Sequence, residues 1–155
     1  MSGAPGGLEI TIRQQADATA LELRGELLAD LGERYGAGEE GARPGPDDIV
    51  ASLVARAGDG TPLGIAALRP FEPGTLEVKR MYVRPQARRR GVALALLTAL
   101  EAEARRLGAR RIVLETGTAQ PEAIALYERH GYTPIPRYPP YADDARSRCY
   151  ERALD

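Results

Sequence analysis

Three consecutive arginines and a glycine, residues 88–91, form the part of this chain best suited to chemistry. They follow a hydrophobic stretch that ends at Pro85 and precede an amphipathic one. A strand that turns into a helix in this way leaves backbone N–H groups without intrahelical partners, at the positive end of the helix dipole. Gly91 lets the backbone approach a bulky ligand, and Ala93 keeps the next contact small. The stretch from Leu76 to Ala93 therefore predicts a binding site for a phosphate group.

The positive charge of Arg88, Arg89 and Arg90 has two interpretations. A solvated helix start explains exposed arginines, but cations at this end of a helix oppose its dipole, so three of them favour a bound anion. The spacing is neither the G-x-x-x-x-G-K-[ST] loop nor the G-x-G-x-x-G turn of nucleotide-binding proteins. A nucleic-acid site would need a wider basic face with aromatic stacking residues, which the sequence does not show.

In its context the spacing Arg88-x-x-Gly91-x-Ala93 resembles the acyl-CoA signature Q/R-x-x-G-x-G/A of the GNAT superfamily of N-acetyltransferases. The strand end Met81–Pro85 is similar to that of the family, and Gln120–Tyr132 resembles its helix pattern N-x-x-A-x-x-L-Y-x-x-x-G-F/Y. The similar blocks cover residues 76–132. The resemblance implies an acyltransferase that moves the acetyl group of acetyl-CoA to a primary amine of a small molecule by direct attack. Two alternatives stay open: a protein or peptide acceptor, and a non-catalytic module that senses acyl-CoA.

The resemblance also implies where acetyl-CoA lies, and it implies no metal. Backbone groups of Met81 and Val83 would pair with the pantetheine arm and the acetyl carbonyl. Residues 88–93, called here the arginine turn, would hold the pyrophosphate. Gln120 replaces the asparagine usual in the family at the head of the last helix, and its longer amide can still donate and accept hydrogen bonds. The cofactor-binding residues expected in this way are Met81, Tyr82, Val83, Arg88, Arg89, Arg90, Gly91, Val92, Ala93 and Gln120.

Tyr127 matches the tyrosine on the family's last helix, which implies that its hydroxyl protonates the departing sulfur of CoA. Core packing is the other interpretation, because Tyr127 has apolar neighbours in the sequence. A tyrosine offers both an apolar ring and a hydroxyl, so the two roles can coexist.

The base that accepts the amine proton has two candidates. Glu77 matches a strand position that carries the base in several members of the family, which makes it the first candidate. Glu77 can equally be a solvent-exposed glutamate or an ion-pair partner of Lys79, in which case water carries the proton away. Glu115 on the neighbouring strand is the second candidate. Period-two alternation predicts that four side chains share one strand face: Glu77, Lys79, Met81 and Val83.

Alternating strands and helices must position these residues. The hydrophobic pattern and the turn residues predict the following elements. They are a strand Leu8–Arg13, a helix capped by Asp17 or Thr19 that runs to about Tyr35, a loop at 36–47, a hairpin of strands 49–56 and 62–69, a strand Leu76–Val83, a helix from about Gly91 to Leu107, a strand around 111–115, a helix Pro121–His130 and a final strand near 148–153. A right-handed crossover makes the strand at 111–115 parallel to Leu76–Val83.

These elements predict an α/β (α+β) fold. Its central sheet is mixed and mostly antiparallel, with helices on both faces and a splayed parallel strand pair that binds acyl-CoA. Residues 1–7 are expected to be disordered, and residues 8–155 to form a single domain.

Composition excludes several classes of protein. A net charge of −1 and a hydrophobic content of 43% argue against bulk attraction to nucleic acid or to a membrane surface. The single cysteine, Cys149, cannot form an intramolecular disulfide and fits a reducing compartment. No apolar run reaches membrane-spanning length and the start lacks a signal-peptide core, so a cytoplasmic location is expected. Neither Cys149 nor the single histidine, His130, has neighbours that suggest a metal site or a nucleophilic triad.

Two features bear on the acceptor. An acidic stripe on the first predicted helix and in the next loop would attract a cationic amine, although a solvated helix face explains it equally well. The Pro- and Tyr-rich segment 132–141 predicts a stiff aromatic wall that either shapes the acceptor pocket or packs against a second subunit. A homodimer is compatible with the resemblance, since such small domains often pair. The acidic residues are Glu22, Glu26, Asp30, Glu33, Glu39, Glu40, Asp47 and Asp48.

Overall fold

The computed structural model describes residues 7–36 and 48–155. Residues 1–6 of the predicted disordered start and residues 37–47 of the loop predicted at 36–47 lie outside the described residues. The elements follow the order β1 (Glu9–Arg13), α1 (Ala18–Tyr35), β2 (Ala51–Arg56), β3 (Pro62–Glu72), β4 (Thr75–Val83), a 3-10 turn (Pro85–Ala87), α2 (Val92–Arg106), β5 (Arg111–Gly117), α3 (Pro121–Arg129), β6 (Thr133–Ile135) and β7 (Ser147–Ala153).

One sheet joins the described strands in the order β1-β2-β3-β4-β5-β7-β6. Strand β4 pairs with β5 in parallel, and the remaining neighbours are antiparallel. Helices α2 and α3 pack on one face of this sheet, and α1 packs on the other through a smaller cluster with β2, β3 and β4. The predicted fold class is therefore confirmed.

Local sequence explains where the helices begin. The side chain of Asp17 accepts a hydrogen bond from the backbone N–H of Ala20 at 2.9 Å, so Asp17 is the cap of α1. Helix α2 begins after Gly91, whose φ of +79° suits a residue without a Cβ. The apolar stripe of α2 then buries Leu96, Leu97 and Leu100 completely or nearly so.

A bulge in β4 decides which way the functional side chains point. Ala67 lies opposite Lys79 and Ile65 opposite Tyr82, so Arg80 and Met81 both face one residue of β3, and Arg80 has a φ of +59°. The side-chain alternation shifts by one residue at this point. Val78 joins the core under α2, whereas its neighbour Lys79 points to the opposite face.

The predicted common face of β4 is wrong because of this bulge. Glu77 and Lys79 share a face and contact Tyr138 and Tyr141. Met81 and Val83, beyond the bulge, pack against the opposite core with α2.

The parallel pair separates just below the bulge. Its register runs from Thr75 opposite Arg111 to Val78 opposite Leu114, and β5 continues to Gly117 paired with β7. Beyond Val78 and Leu114 the two strands enclose a wedge-shaped space, called here the β4–β5 gap. The backbone of β4 on that side faces the gap instead of a neighbouring strand.

Strand β6 was not predicted from the sequence. Its three residues include Pro134, and prolines on either side of Ile135 favoured an irregular segment. An edge strand tolerates proline because only one of its sides forms a ladder, and β6 is the edge next to β7.

Candidate active site

The β4–β5 gap is the floor of a cleft that α1, α3 and the segment before β7 close from the sides. Helix α1 contributes Leu27, Leu31 and Tyr35 to its wall, and α3 contributes Tyr127. Strand β5 contributes Glu115. The cleft therefore combines an apolar wall with a few polar groups, as small-molecule sites do.

The arginine turn lies directly beyond the end of β4. Arg88 is tied back to the strand, because its Nε donates to the carbonyl of Val83 at 3.0 Å. Arg89 has a φ of +63° and is exposed, as are Arg90 and Gly91. Consecutive N–H groups in such a turn, at the N-terminus of a 15-residue helix, can hold a phosphate group.

The other expected cofactor contacts differ in their environment. Tyr82 turns its ring away from the gap, into the cluster under α1, and its hydroxyl donates to Glu26 Oε1 at 3.3 Å. Val92 is buried in the core and Ala93 is half-buried. Met81 lines the cleft. Contacts of this stretch with a ligand would therefore use the backbone around Met81 and the exposed part of the turn.

Gln120 lies at the head of α3, where Tyr35 holds it. Its Nε2 donates to Tyr35 Oη at 3.4 Å, and the backbone N–H of Ala119 donates to the same oxygen at 3.2 Å. A Cβ at Gly117 would overlap that hydroxyl, so only glycine leaves room for the phenol. Sequence analysis missed Tyr35, because nothing near the end of α1 indicates a contact 84 residues away.

Tyr127 places a hydroxyl in the wall of the cleft. Its ring is 4% exposed and packs against Tyr132 at 5.7 Å between centroids. Within residues 7–36 and 48–155 its hydroxyl has no hydrogen-bond partner. Burial, with a smaller effect of the Glu115 carboxylate, raises the pKa of the Tyr127 phenol well above its usual value. Tyr127 thus packs in the core, and its phenol keeps its proton at neutral pH.

Glu77 is not in the wall of the cleft. Its side chain is 3% exposed, and both of its carboxylate oxygens are occupied. Oε1 accepts from Arg69 Nη1 at 2.9 Å, and Oε2 accepts from the hydroxyl of Tyr138 at 2.8 Å. Glu77 therefore forms an ion pair, which was one of the alternatives, but its partner is Arg69 of β3 and not Lys79. A carboxylate bound in this way is poorly placed to take a proton from an amine.

Glu115 faces the cleft from β5. Its Oε2 accepts from the hydroxyl of Ser147 at 2.8 Å. Burial raises the pKa of the Glu115 carboxyl to about 7, although the Ser147 hydrogen bond and the charge of Lys79 act in the opposite direction. A carboxyl that titrates near neutrality suits a general base.

Lys79 is a half-buried cation in the wall of the cleft. Its Nζ donates to the hydroxyl of Tyr141 at 2.7 Å. Burial lowers the pKa of the Lys79 ammonium, but the charges of Glu77, Tyr141 and Glu115 outweigh it, so the pKa ends above its usual value. Lys79 therefore carries a full positive charge into the cleft.

The predicted acidic rim is largely taken up by ion pairs. Glu22 and Glu26 bind Arg84 at 3.3 and 2.7 Å, and Asp30 binds Arg34 at 3.0 Å. Asp48 binds Arg69, while Glu39, Glu40 and Asp47 lie outside the described residues. Glu22 and Glu26 thus fasten α1 to Arg84 directly after β4, whereas Asp30 pairs within α1 with Arg34, which in turn binds Glu122 of α3.

The predicted aromatic wall is partly present. Tyr141 lines the cleft and Tyr138 packs edge-to-face against it at 5.8 Å. Tyr132 instead lies in the core, where its hydroxyl donates to Glu101 Oε2 at 2.8 Å.

Neither a metal cluster nor a membrane span is found in the part of the chain that the structure describes. Among those residues, no three His, Cys, Asp or Glu side chains converge as metal ligands would. No helix there is both long and apolar enough to cross a bilayer.

Comparison with known proteins gives consistent matches. The sequence profile of the Acetyltransferase (GNAT) family matches residues 23–132. The IAA acetyltransferase of Azospirillum brasilense is 41% identical over 106 residues, which are 68% of this chain and 69% of that protein. Aminoglycoside N(6')-acetyltransferase type 1 of Klebsiella aerogenes is 31% identical over 145 residues, which are 89% of this chain and 82% of that enzyme. A solved structure from Klebsiella pneumoniae, assigned as an acyl-CoA N-acyltransferase, has a TM-score of 0.80 and 34% identity, and the match covers 96% of this chain and 98% of that one.

Proposed function

Because the chain belongs to the GNAT family of acetyltransferases and uses acetyl-CoA as its co-substrate, we propose that it acetylates a primary amine of a small molecule. One observation supports this proposal above the others. The β4–β5 gap presents the free hydroxyl of Tyr127 and the carboxyl of Glu115 in one cleft, next to the arginine turn. An acid and a base on either side of a thioester are what acetyl transfer to an amine requires.

The arginine turn is the proposed site of the CoA pyrophosphate. Arg89, Arg90 and the N–H groups at the start of α2 supply positive charge and donors, and Gly91 leaves open space above the backbone. The pantetheine arm would extend the sheet inside the gap, with its amides on the free backbone edge of β4. Gln120 on the far side offers a further amide to the same ligand.

The proposed reaction is direct attack of a neutral amine on the thioester carbon. A carbon–nitrogen bond forms, the carbon–sulfur bond breaks, and the N–H of Met81 stabilises the developing oxyanion. The hydroxyl of Tyr127 gives its proton to the leaving sulfur, and the proton lost by the nitrogen is taken up by a base. Products are the acetamide and free CoA, with Tyr127 reprotonated from solvent through that base.

Glu115 replaces Glu77 as the base in this proposal. Glu115 faces the cleft and titrates near neutrality, whereas Glu77 is held by Arg69 and Tyr138 outside the cleft wall. Glu77 on β4 and Glu115 on β5 lie on the two strands that define the gap.

Calorimetric titration with acetyl-CoA, and with free CoA and ATP as controls, is the first test. We expect micromolar binding of acetyl-CoA and CoA without comparable binding of ATP, followed by release of free thiol when small amines are added. Binding of acetyl-CoA without thiol release in the presence of any amine would instead support the alternative of a non-catalytic module that senses acyl-CoA. Thiol release with basic peptides but not with small amines would show that the acceptor is a protein or peptide.

A further inference from the structure

We infer that the acceptor carries a carboxylate a few bonds away from its amine, and that Lys79 binds this carboxylate. The inference rests on the proposed function, since it names the substrate class of the same cleft.

The hydrogen bonding of Lys79 is the first argument. An ammonium group has three donors. Within the described ranges, the only hydrogen-bond acceptor that Lys79 Nζ contacts is Tyr141 Oη, at 2.7 Å. Two donors of a half-buried cation thus point to no acceptor in the described chain, although Nζ also lies 5.4 Å from the centroid of the Tyr141 ring. A carboxylate of the ligand would satisfy them with charge-assisted hydrogen bonds.

The charge balance of the cleft is the second argument. Its described wall contains four cationic side chains, Arg24, Lys79, Arg80 and Arg146, and two acidic ones, Glu115 and Asp144, and each of the three arginines has interactions of its own. Asp144 is already bound by Arg146, at 3.2 and 3.4 Å from its two oxygens. The other acid, Glu115, is only partly ionised at neutral pH. A polyamine or aminoglycoside would therefore bring its positive charge next to the charged Lys79, whereas an anionic group would be attracted to it.

The proximity of Lys79 to Glu115 limits the size of the acceptor. Val78 pairs with Leu114 in the parallel register, and Lys79 and Glu115 are the next residues on the two strands and line the same cleft, so their side chains leave the sheet side by side. An amine placed for proton transfer to Glu115 would hold its carboxylate near Lys79 only if few bonds separate the two groups. Short amino carboxylates, such as α- or β-amino acids, meet this condition.

Matched acceptors test the inference directly. The probes are β-alanine and the common L-α-amino acids, each paired with its carboxamide, together with 1,3-diaminopropane as the cationic analogue of β-alanine. Thiol release gives kcat/KM for each probe. We expect the best amino carboxylate to exceed its own carboxamide and the diamine by about tenfold or more. The amine of a carboxamide is less basic than the amine of the parent amino carboxylate, so a larger fraction of it is neutral and able to attack. This difference alone would make the carboxamide the faster acceptor, which is the opposite of the expected result.

Lys79→Gln provides the matched variant. It should raise KM for the preferred amino carboxylate by roughly 10- to 100-fold, while KM for the carboxamide and for acetyl-CoA stays within about twofold. Arg13→Gln removes the same charge from the exposed end of β1, far from the cleft, and should change neither constant. A carboxamide or diamine that matches the carboxylate, or an unchanged preference in Lys79→Gln, would overturn the inference and leave the acetyltransferase itself intact.

Binding measurements decide the case in which no probe is turned over. The CoA-saturated protein is titrated calorimetrically with each carboxylate and its carboxamide. Tighter binding of the carboxylate, lost in Lys79→Gln, would support the inference even where the proposed function fails for lack of thiol release. Equal binding of the pair, or binding of neither, would overturn it.

Discussion

Replacing Glu115 by glutamine gives two measurable effects of opposite sign. The amide keeps the size of the side chain and an oxygen that can accept from Ser147, but it cannot take up a proton. If Glu115 is the base, its removal should lower kcat/KM for the amine about 100-fold or more at pH 8, within the usual range for a general base. The free energy of unfolding should rise at the same pH, because the variant no longer buries an ionised carboxylate.

The rate effect has a characteristic dependence on pH. With a pKa of about 7, the Glu115 carboxyl is half ionised at pH 7 and loses about a factor of ten in its basic form for each pH unit below. The amine must also be neutral, which adds a slope of its own across the whole range. The wild-type profile should therefore bend near pH 7, and the profile of Glu115→Gln should show the slope of the amine alone.

The stability effect follows from linkage. The carboxyl titrates at about 7 in the folded chain against a usual value of 4.5, so the folded state binds the proton more tightly. The contribution of Glu115 to stability is therefore full below pH 4.5 and falls as the pH rises to about 7. The total loss is about 3 kcal/mol at about 1.4 kcal/mol per pH unit, an upper value that Glu115→Gln should recover at pH 8 in urea unfolding.

Glu77→Gln is the matched comparison on the other strand. It removes one charge from the pair with Arg69, so it should destabilise the fold by roughly 1–3 kcal/mol while the bend near pH 7 persists. The pKa values of Lys79 and Tyr127 lie above their usual values and that of Asp144 lies below its usual value, so none of these three groups changes its charge near pH 7 and mimics the bend. A bend that survives in Glu115→Gln but vanishes in Glu77→Gln would refute the reasoning and restore Glu77 as the base.

Three further predictions concern the acid, the phosphate site and the shape of the cleft. Tyr127→Phe should lower kcat about 10- to 100-fold and leave the Kd for acetyl-CoA within about twofold, because only the proton donor is removed. Arg89→Gln combined with Arg90→Gln should raise the Kd for acetyl-CoA about tenfold in calorimetry at low salt, with a smaller effect at high salt, because exposed charges on a phosphate are screened. Gly117→Ala should lower the free energy of unfolding by about 1–3 kcal/mol and raise KM for the amine, because the new methyl group overlaps the hydroxyl of Tyr35.

Each of these changes has a control within the chain. Tyr150→Phe removes a hydroxyl from the same aromatic cluster, where it binds Glu128, and should leave kcat unchanged. Arg105→Gln removes a cation from the opposite end of α2 and should leave acetyl-CoA binding unchanged. Gly25→Ala adds a methyl group to α1 where no atom lies within 4 Å, and should stabilise by up to about 1 kcal/mol. Equal effects in a variant and its control would show that the change acts through the fold alone.

Local structure was predictable from the sequence because its causes are local. Asp17 caps α1 and Gly91 precedes α2, as capping chemistry requires, and the arginine turn lies between β4 and α2 as its order in the chain indicates. The crossover rule likewise predicted that β4 and β5 are parallel. The family resemblance added Tyr127, which lies in the wall of the cleft.

The two bulges of the β3–β4 pair had no such local signal. Continuing the register from Glu72 opposite Thr75 would place Pro70 opposite Glu77, but an irregularity near Phe71 places Arg69 there. This one-residue shift places Arg69 where it pairs with the Glu77 carboxylate. The second bulge, at Arg80, separates the face of Lys79 from that of Met81.

The sequence by itself thus determined the order of the elements apart from β6, the position of the arginine turn and the family of the enzyme, since each depends on residues close together in the chain. Tertiary structure decided which carboxylate faces the cleft and which cation lies beside it. Burial and long-range pairing set both properties. Glu115 is desolvated between β4 and β7, and Lys79 faces the same cleft from the other strand with two donors left for a ligand.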